Sequence, residues 1–300
     1  MSFLHAFFLL AASNTLPSFE FVSAPFSWDP EFVAEKFPRT KISIDLIRAS
    51  LKEKMPGFVV PAGFDRAIIS SRSTQGVSGG SVVIGANLFT SSTGDYENIL
   101  FKRGHMMGAE LKPCVWVNLP TDTQPSQPRL LNIPSTANRG VVLDIQSGKA
   151  VGIVGTLVPL ASGTPVTTSM VQNGAVLAHR NATEVVRSLD AEIKPVIWDI
   201  TTKNPTVLSS LPGCPQIYAS GINAQGEIVG YGSGASRASR RGVIWVGGSA
   251  QDLNNLVTGI PANHTIEKAI SINDAGDILA LVDSGRPNTV STFTLLRRKP

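Results

Sequence analysis

Two stretches near the C-terminal end share one pattern of apolar and polar positions: Ser220-Gly221-Ile222-Asn223-Ala224-Gln225-Gly226-Glu227-Ile228-Val229-Gly230 and Ile270-Ser271-Ile272-Asn273-Asp274-Ala275-Gly276-Asp277-Ile278-Leu279-Ala280. In each, an apolar run meets a polar segment carrying Asn and Gly, and a second apolar run follows. Asn, Asp and Gly accept the left-handed backbone that a tight turn requires, whereas a β-branched residue is strained there, so both stretches predict β-hairpins. Looser copies cover residues 143–152, 170–177 and 79–85.

A second marker recurs beside the hairpins. Ala109-Glu110-Leu111-Lys112-Pro113-Cys114-Val115-Trp116 returns as Ala191-Glu192-Ile193-Lys194-Pro195-Val196-Ile197-Trp198, and Arg241-Gly242-Val243-Ile244-Trp245 is a third echo. Gly226 and Gly276 are 50 residues apart, and Trp198 and Trp245 are 47 apart; taking Phe293 as the next marker gives a further 48. Upstream the register loosens, since Trp116 and Trp198 are 82 apart. One period then contains a hairpin, a Val-Ile-Trp strand and a strand near Asp252-Leu253, which is the size of a four-stranded propeller blade. Such units cannot bury their apolar faces alone and must stack on one another. The strand at Phe293 has no following partner in its own unit, and N-terminal residues are expected to complete that last sheet.

Two helices are expected as decoration. Ile44, Leu46, Ile47 and Leu51 fall at helical spacing between Ser43 and Met55, before a Pro56-Gly57 stop, with a strand over residues 41–46 as the competing reading. Asn181-Ala182-Thr183-Glu184 has the form of a helix cap, followed by Val185, Val186, Leu189 and Ile193.

Composition adds constraints. Only 16% of the 300 residues are charged, and 27 Gly and 20 Pro are spread along the chain, the profile of short strands joined by turns. A net charge of +4, without a concentrated patch, does not argue for nucleic acid. Cys114 and Cys214 form no zinc pattern, and a free, packed thiol is favoured over a bridge. The run Phe3-Leu4-His5-Ala6-Phe7-Phe8-Leu9-Leu10-Ala11-Ala12 is too short for a bilayer span and suits the apolar region of a secretory signal cleaved after Ala12 or Ala24, although no Lys or Arg precedes Lys36.

Ala-x-x-Ile-Asn-x-x-Gly-x-Ile-Val-Gly, followed by an apolar-apolar-Trp strand and Asp-Leu-Asn, resembles the bacterial extracellular HAF repeat. Residues 218–296 carry it best, through Ile222-Asn223, Gly226, Ile228-Val229-Gly230, Val243-Ile244-Trp245, Asp252-Leu253-Asn254 and Ile272-Asn273-Asp274-Ala275-Gly276; residues 112–200 match more loosely. The resemblance implies an exported, propeller-like β protein and no catalytic residue.

Candidate chemistry is sparse. Gly76-Val77-Ser78-Gly79-Gly80 has the Gly-x-Ser-x-Gly shape of hydrolase nucleophile elbows, with His105 and His179 downstream as candidate bases. Its flanks lack the strand-turn-helix of that fold, and a hairpin turn is the preferred reading. Asn273, Asp274 and Asp277 offer side-chain oxygens for Ca²⁺, but not at EF-hand spacing, and turn chemistry is again preferred. Arg237, Arg240 and Arg241, and the terminal Arg297-Arg298-Lys299, read as solvated. Trp116, Trp198 and Trp245 read as packing between sheets rather than as a sugar-stacking row. Asn181-Ala182-Thr183 and Asn263-His264-Thr265 are glycosylation sequons that arise readily by chance.

The expected protein is all-β, a β-propeller-like array of about five or six four-stranded sheets with one or two short helices. Residues 1–24 form a candidate signal peptide, 25–66 a lead-in and 67–300 the repeat domain. The expected function is that of a secreted or surface-associated monomeric binding scaffold for a protein or glycan. No cofactor, transmembrane segment or nucleic-acid partner is expected. The alternatives are a glycan or peptide hydrolase with its site at the mouth of the array, and a fragment of a structural or viral polyprotein.

Overall fold

The computed structural model of the chain describes residues 16–22, 37, 57–64, 66–73, 82–89, 111–118, 124–159, 176–180, 185–233, 240–285 and 291–300. These residues build an all-β protein of four sheets in chain order, antiparallel apart from one parallel pair in the last. Strand β1 (Phe19–Phe21) comes first in sequence and joins the last sheet. Sheet one contains β2 (Arg66–Ser73), β3 (Val83–Phe89), β4 (Leu111–Val117) and β5 (Pro128–Leu130). Sheet two contains β6 (Arg139–Gln146), β7 (Lys149–Pro159), β9 (Val185–Asp199) and β10 (Pro205–Val207), with β8 (Val176–Arg180) paired to β9. Sheet three is β11 (Gln216–Ile222), β12 (Ile228–Ser233), β13 (Arg241–Val246) and β14 (Ser249–Asp252). Sheet four runs β16 (Thr265–Ile272), β17 (Ile278–Asp283), β18 (Thr292–Arg298), then β1, then β15 (Val257–Thr258).

The repeat is structural as well as sequential. Every sheet has an irregularity in its first strand at one place: Ile69/Ser71, Val142/Asp144, Ala219/Gly221 and Ala269/Ser271. Bulges add twist, which lets successive sheets face one another. On the second strand, opposite this point, backbones come very close. A Cβ on Gly152 would lie 1.9 Å from the Val141 carbonyl oxygen, and one on Gly230 would lie 1.8 Å from that of Tyr218. Glycine is required at both places by contact.

Each Asn-x-x-Gly turn is closed by its own asparagine. Asn223 Oδ1 accepts the Glu227 amide and Asn273 Oδ1 the Asp277 amide, each at 2.9 Å, while Gly226 and Gly276 take the left-handed backbone at φ 80° and 84°. The β6–β7 hairpin turns through Ser147 and Gly148, both at positive φ. The Asp-Leu-Asn motif also resolves into physical parts. Asp252 Oδ1 caps a single 3-10 turn, Leu253–Asn255, by accepting the Asn254 amide at 2.9 Å. Leu253 is buried, and the Asn254 side chain pairs with both backbone groups of Ile266, joining sheet three to sheet four.

The first strand of each later sheet packs on its predecessor: β6 over β2, β3 and β4; β11 over β6, β7 and β9; β16 over β11, β12 and β13. Three apolar layers result. Val83, Val115, Val142, Ala150 and Trp198 lie between sheets one and two, Val151, Ile217, Ile228 and Trp245 between two and three, and Val229, Ile244, Ile266, Ile278 and Leu296 between three and four. Trp198 and Trp245 lock their layers by hydrogen bonds as well, donating to the carbonyls of Asn132 (2.7 Å) and Ser209 (2.9 Å) just beyond the outermost strand of the preceding sheet. Trp116, also buried, meets Phe58 edge-on. Trp198→Phe should therefore cost about 1–3 kcal/mol, from the lost hydrogen bond to the Asn132 carbonyl and a small void, read as a shift in urea midpoint. An unchanged midpoint would show that the Asn132 bond does not hold sheets one and two together.

Several expectations need correction. Residues 185–193, expected as a helix after Asn181, run as part of strand β9, because pairing with β8 over 185–189 and with β7 from Ser188 on satisfies the backbone there. The helix expected over residues 43–55 lies outside the described residues. The fourth counterpart of the tryptophans is Leu296, not Phe293: Trp116, Trp198 and Trp245 face Ile84, Ala150 and Ile228 of their second strands, and Leu296 faces Ile278. Of the hairpin expected over 79–85 the residues from 82 on are described, with Gly85 in β3 paired to β2, and the expected 170–177 hairpin is described only from Val176 on. Against about five or six expected sheets, the described residues form four, and they do not show a closed ring. The expected completion of the last sheet by N-terminal residues is present, with β1 antiparallel to β18.

Candidate functional site

The two ends of the sheets differ in construction. At one end the tight turns join in a row: Ser147 Oγ donates to the Ala224 carbonyl at 3.3 Å, and the Ala224 amide donates to Asp274 Oδ1 at 2.9 Å. Arg298 ties the last two turns, pairing with the Glu227 carboxylate while its own amide donates to Asp277 Oδ1 at 3.0 Å. The oxygens of Asn273, Asp274 and Asp277 considered for Ca²⁺ thus all accept backbone amides. Among the described residues no group of three or more His, Cys, Asp or Glu is placed to hold a metal ion.

Toward the opposite end, sheets three and four gather polar aromatic and charged groups. Tyr218 and Tyr231 are register partners in the β11–β12 hairpin, and their rings stack 4.6 Å apart at 14°. Lys268, from β16, places Nζ 4.4 Å from the centre of the Tyr231 ring, a cation-π contact. Beside them the buried Glu267 carboxylate accepts hydrogen bonds from Arg240 Nη1 and, at 2.5 Å, from Ser291 Oγ. Burial pushes the Tyr231 hydroxyl up to about 12; the positive charge of Arg240 opposes this and the Glu267 charge adds to it. Tyr231 is therefore neutral at physiological pH, a hydrogen-bonding and stacking group rather than a base. Arg241 pairs with Asp252 across 3.7 Å.

At this end lie the strand ends that the longer connections join, β3 to β4 through residues 90–110, β7 to β9 through 160–184 with β8 within them, β12 to β13 through 234–240 and β17 to β18 through 284–291. Loops on a rigid scaffold are where proteins most often place recognition.

The other sequence candidates are not brought together. Ser78, between β2 and β3, and His105 lie outside the described residues, as does Arg237. The His179 backbone lies in β8 opposite Val186. Trp198 and Trp245 are buried between sheets, and Trp116 is buried on sheet one against Phe58. Cys114 and Cys214 are both free and buried, and burial pushes both thiols up. Asn263 occupies an exposed turn at φ 64°. The Tyr218, Tyr231, Lys268 cluster was missed by sequence reasoning. The two tyrosines lie on facing hairpin strands and were discoverable from the turn, but Lys268 arrives from the next sheet and has no local signal.

On the second sheet, the Asp199 carboxyl is lowered to about 2, first by Lys149 Nζ at 2.6 Å and then by the Thr202 and Thr201 amides, each at 3.0 Å, against some desolvation. A depressed carboxyl contributes stability that is complete above its unfolded value, near 4, and lost as pH falls toward 2. Because the pair is partly solvated, the contribution is small. Asp199→Asn should flatten the fall of Tm between pH 4 and 2 and leave the curve above pH 5 parallel to wild type; an identical acid limb in both proteins would refute the assignment.

Comparison of the chain with protein-family models, with curated proteins and with solved structures gives no match. Among the described residues no helix is long and apolar enough to cross a membrane.

Proposed function

We propose that the protein is a binding scaffold: a propeller-like array whose sheets are fixed by their tight-turn end and which recognises a protein or glycan through the loops at the other end. The observation that carries this reading is the contrast between the ends, with turns hydrogen-bonded into a row on one side and, on the other, the strand ends that the longer segments 90–110, 160–184, 234–240 and 284–291 connect. Toward the same end Tyr231, Lys268 and Arg240 gather an aromatic ring, an ammonium and a guanidinium, groups suited to hydroxyl-rich or acidic ligands. Export to the cell surface or beyond, as a monomer, belongs to the same reading and rests on the apolar N-terminal run and the likeness to extracellular repeats.

The test is a glycan array and a panel of immobilised peptides probed with the full chain and with a chain whose residues 90–110 are replaced by a Gly-Ser linker. Binding that falls at least tenfold in the replaced chain, with Tm unchanged, supports the proposal. Equal binding by the two chains, or no binding by either at micromolar concentration, would count against it.

A further inference from the structure

Strand β1 lies between β18, which is also paired to β17, and β15, which follows the 3-10 turn and has β1 as its strand partner. On one edge Phe19, Glu20 and Phe21 face Arg298, Arg297 and Leu296 of β18, antiparallel; on the other, Phe19 and Glu20 face Val257 and Thr258 of β15, parallel. The Phe19 amide donates to the Leu256 carbonyl at 2.9 Å, and Thr258 Oγ1 donates to the Phe19 carbonyl at 3.2 Å. The ends of the segment are fixed by the Lys299 amide on the Ser18 carbonyl (2.9 Å) and by the Val22 amide on the Leu295 carbonyl (3.1 Å). Phe19 is fully buried in the layer formed by Val229, Ile244, Leu253, Val257 and Leu296, and Phe21 packs on the same layer. Glu20, on the solvent side, is opposite the exposed Arg297.

The walls of this slot form from local connections. β16, β17 and β18 make their own meander, and β15 follows directly from the 3-10 turn that Asp252 caps. β1 is only three residues long and reaches the slot from more than 200 residues away in sequence. A groove with main-chain partners on both edges, a pocket for alternate side chains and a complementary charge is the arrangement by which sheets take up extended peptides.

We propose that the β15–β18 slot is a strand-acceptor site for a Phe-acidic-Phe segment, filled here by residues 16–22 of the same chain and able to take those residues from a second copy when the link after Val22 is severed. The donor needs an extended backbone, an aromatic residue at the Phe19 place for the buried pocket, and an acidic residue opposite Arg297. The site also connects to processing. Removal of residues 1–12 leaves the donor strand on the chain, whereas removal of residues 1–24 takes it away and leaves the acceptor open to a strand in trans.

The test inserts a specific protease site between Ala24 and Pro25, folds the intact chain and then cuts it. A fluorescent peptide of residues 16–22 is added to cut and uncut protein, and anisotropy is followed. Saturable 1:1 uptake by the cut chain only, weakened at least tenfold by Phe19→Ser in the peptide, is the expected result. Glu20→Arg in the peptide should weaken uptake severalfold, and Arg297→Glu in the protein should restore it. Native mass spectrometry of cut chain mixed with an isotope-labelled cut copy should show exchanged N-terminal fragments. Unfolding on cleavage, absence of both uptake and fragment exchange, equal uptake by the uncut chain, or uptake indifferent to Phe19→Ser would each overturn the proposal.

Discussion

Phe19→Ala is expected to lower stability by about 3–5 kcal/mol, the range for deleting a fully buried aromatic ring when the surroundings relax only partly. Phe19 has no exposed surface and sits at the junction of β1, β15 and β18, against residues of sheets three and four. Domains of ordinary stability have only about 5–15 kcal/mol in total, so the variant should unfold at much lower urea concentration. Leu16→Ala three residues earlier is the internal control: Leu16 is 49% exposed, and its loss should fall within about 0.5 kcal/mol. Equal midpoints for the two variants would mean that β1 does not occupy sheet four in solution.

Asp144→Ala is expected to be as damaging for a different reason. This buried carboxylate accepts hydrogen bonds from Ser71 Oγ at 2.7 Å and the Ile145 amide at 2.8 Å through Oδ1, and from the Ile222 amide at 3.0 Å through Oδ2. Ser71 belongs to sheet one, Asp144 to sheet two and Ile222 to sheet three, so one side chain serves three sheets. Alanine leaves two amides and a hydroxyl unpaired where water does not replace the lost partner, at about 1–3 kcal/mol for each group fully orphaned. Partial relaxation brings the expected total to about 3–5 kcal/mol. Asp144→Asn keeps one acceptor oxygen but turns a donor toward the Ile222 amide, and should cost about half as much. A double-mutant cycle of Asp144→Ala with Ser71→Ala should give a coupling of about 1 kcal/mol or more, and strict additivity would remove Ser71 from the network. Ser73, which donates to Gln146 at 2.7 Å, repeats the link between sheets one and two and limits how far the array loosens.

The legible parts of this protein were those whose cause is local. Asn223 and Asn273 announce their turns because an Asn side chain four residues before its partner amide closes the loop wherever the strands go. The tryptophan strands announce the interior because Trp in an apolar run must be covered. The failures had a common origin. Asn181 to Ile193 carries a good helix pattern, but β8 and β7 together offer the backbone of residues 185–199 a ladder, and tertiary pairing outweighs propensities worth tenths of a kcal/mol per residue. Phe293 matched the spacing, yet register is counted through pairing with β17, which puts Leu296 in the tryptophan's place. Of the candidate site, the tyrosine pair was within reach and Lys268 was not, because the lysine's neighbour is chosen by how sheet four lies on sheet three.

From sequence alone came the all-β class, the period, the turn chemistry and the need for an N-terminal strand to finish the last sheet, since alternation, Asn/Gly turns and an unpaired edge act over a few residues or one sheet. Only the tertiary structure decided that Asp144 is a buried link among three sheets, that the calcium candidates Asp274 and Asp277 are bound to the backbone amides of Ala224 and Arg298, and that Phe19 fills a slot between β15 and β18. Those roles depend on groups from 20 to over 200 residues away, brought near by the stacking of whole sheets, and contacts of that range leave no mark on the local order of apolar and polar residues.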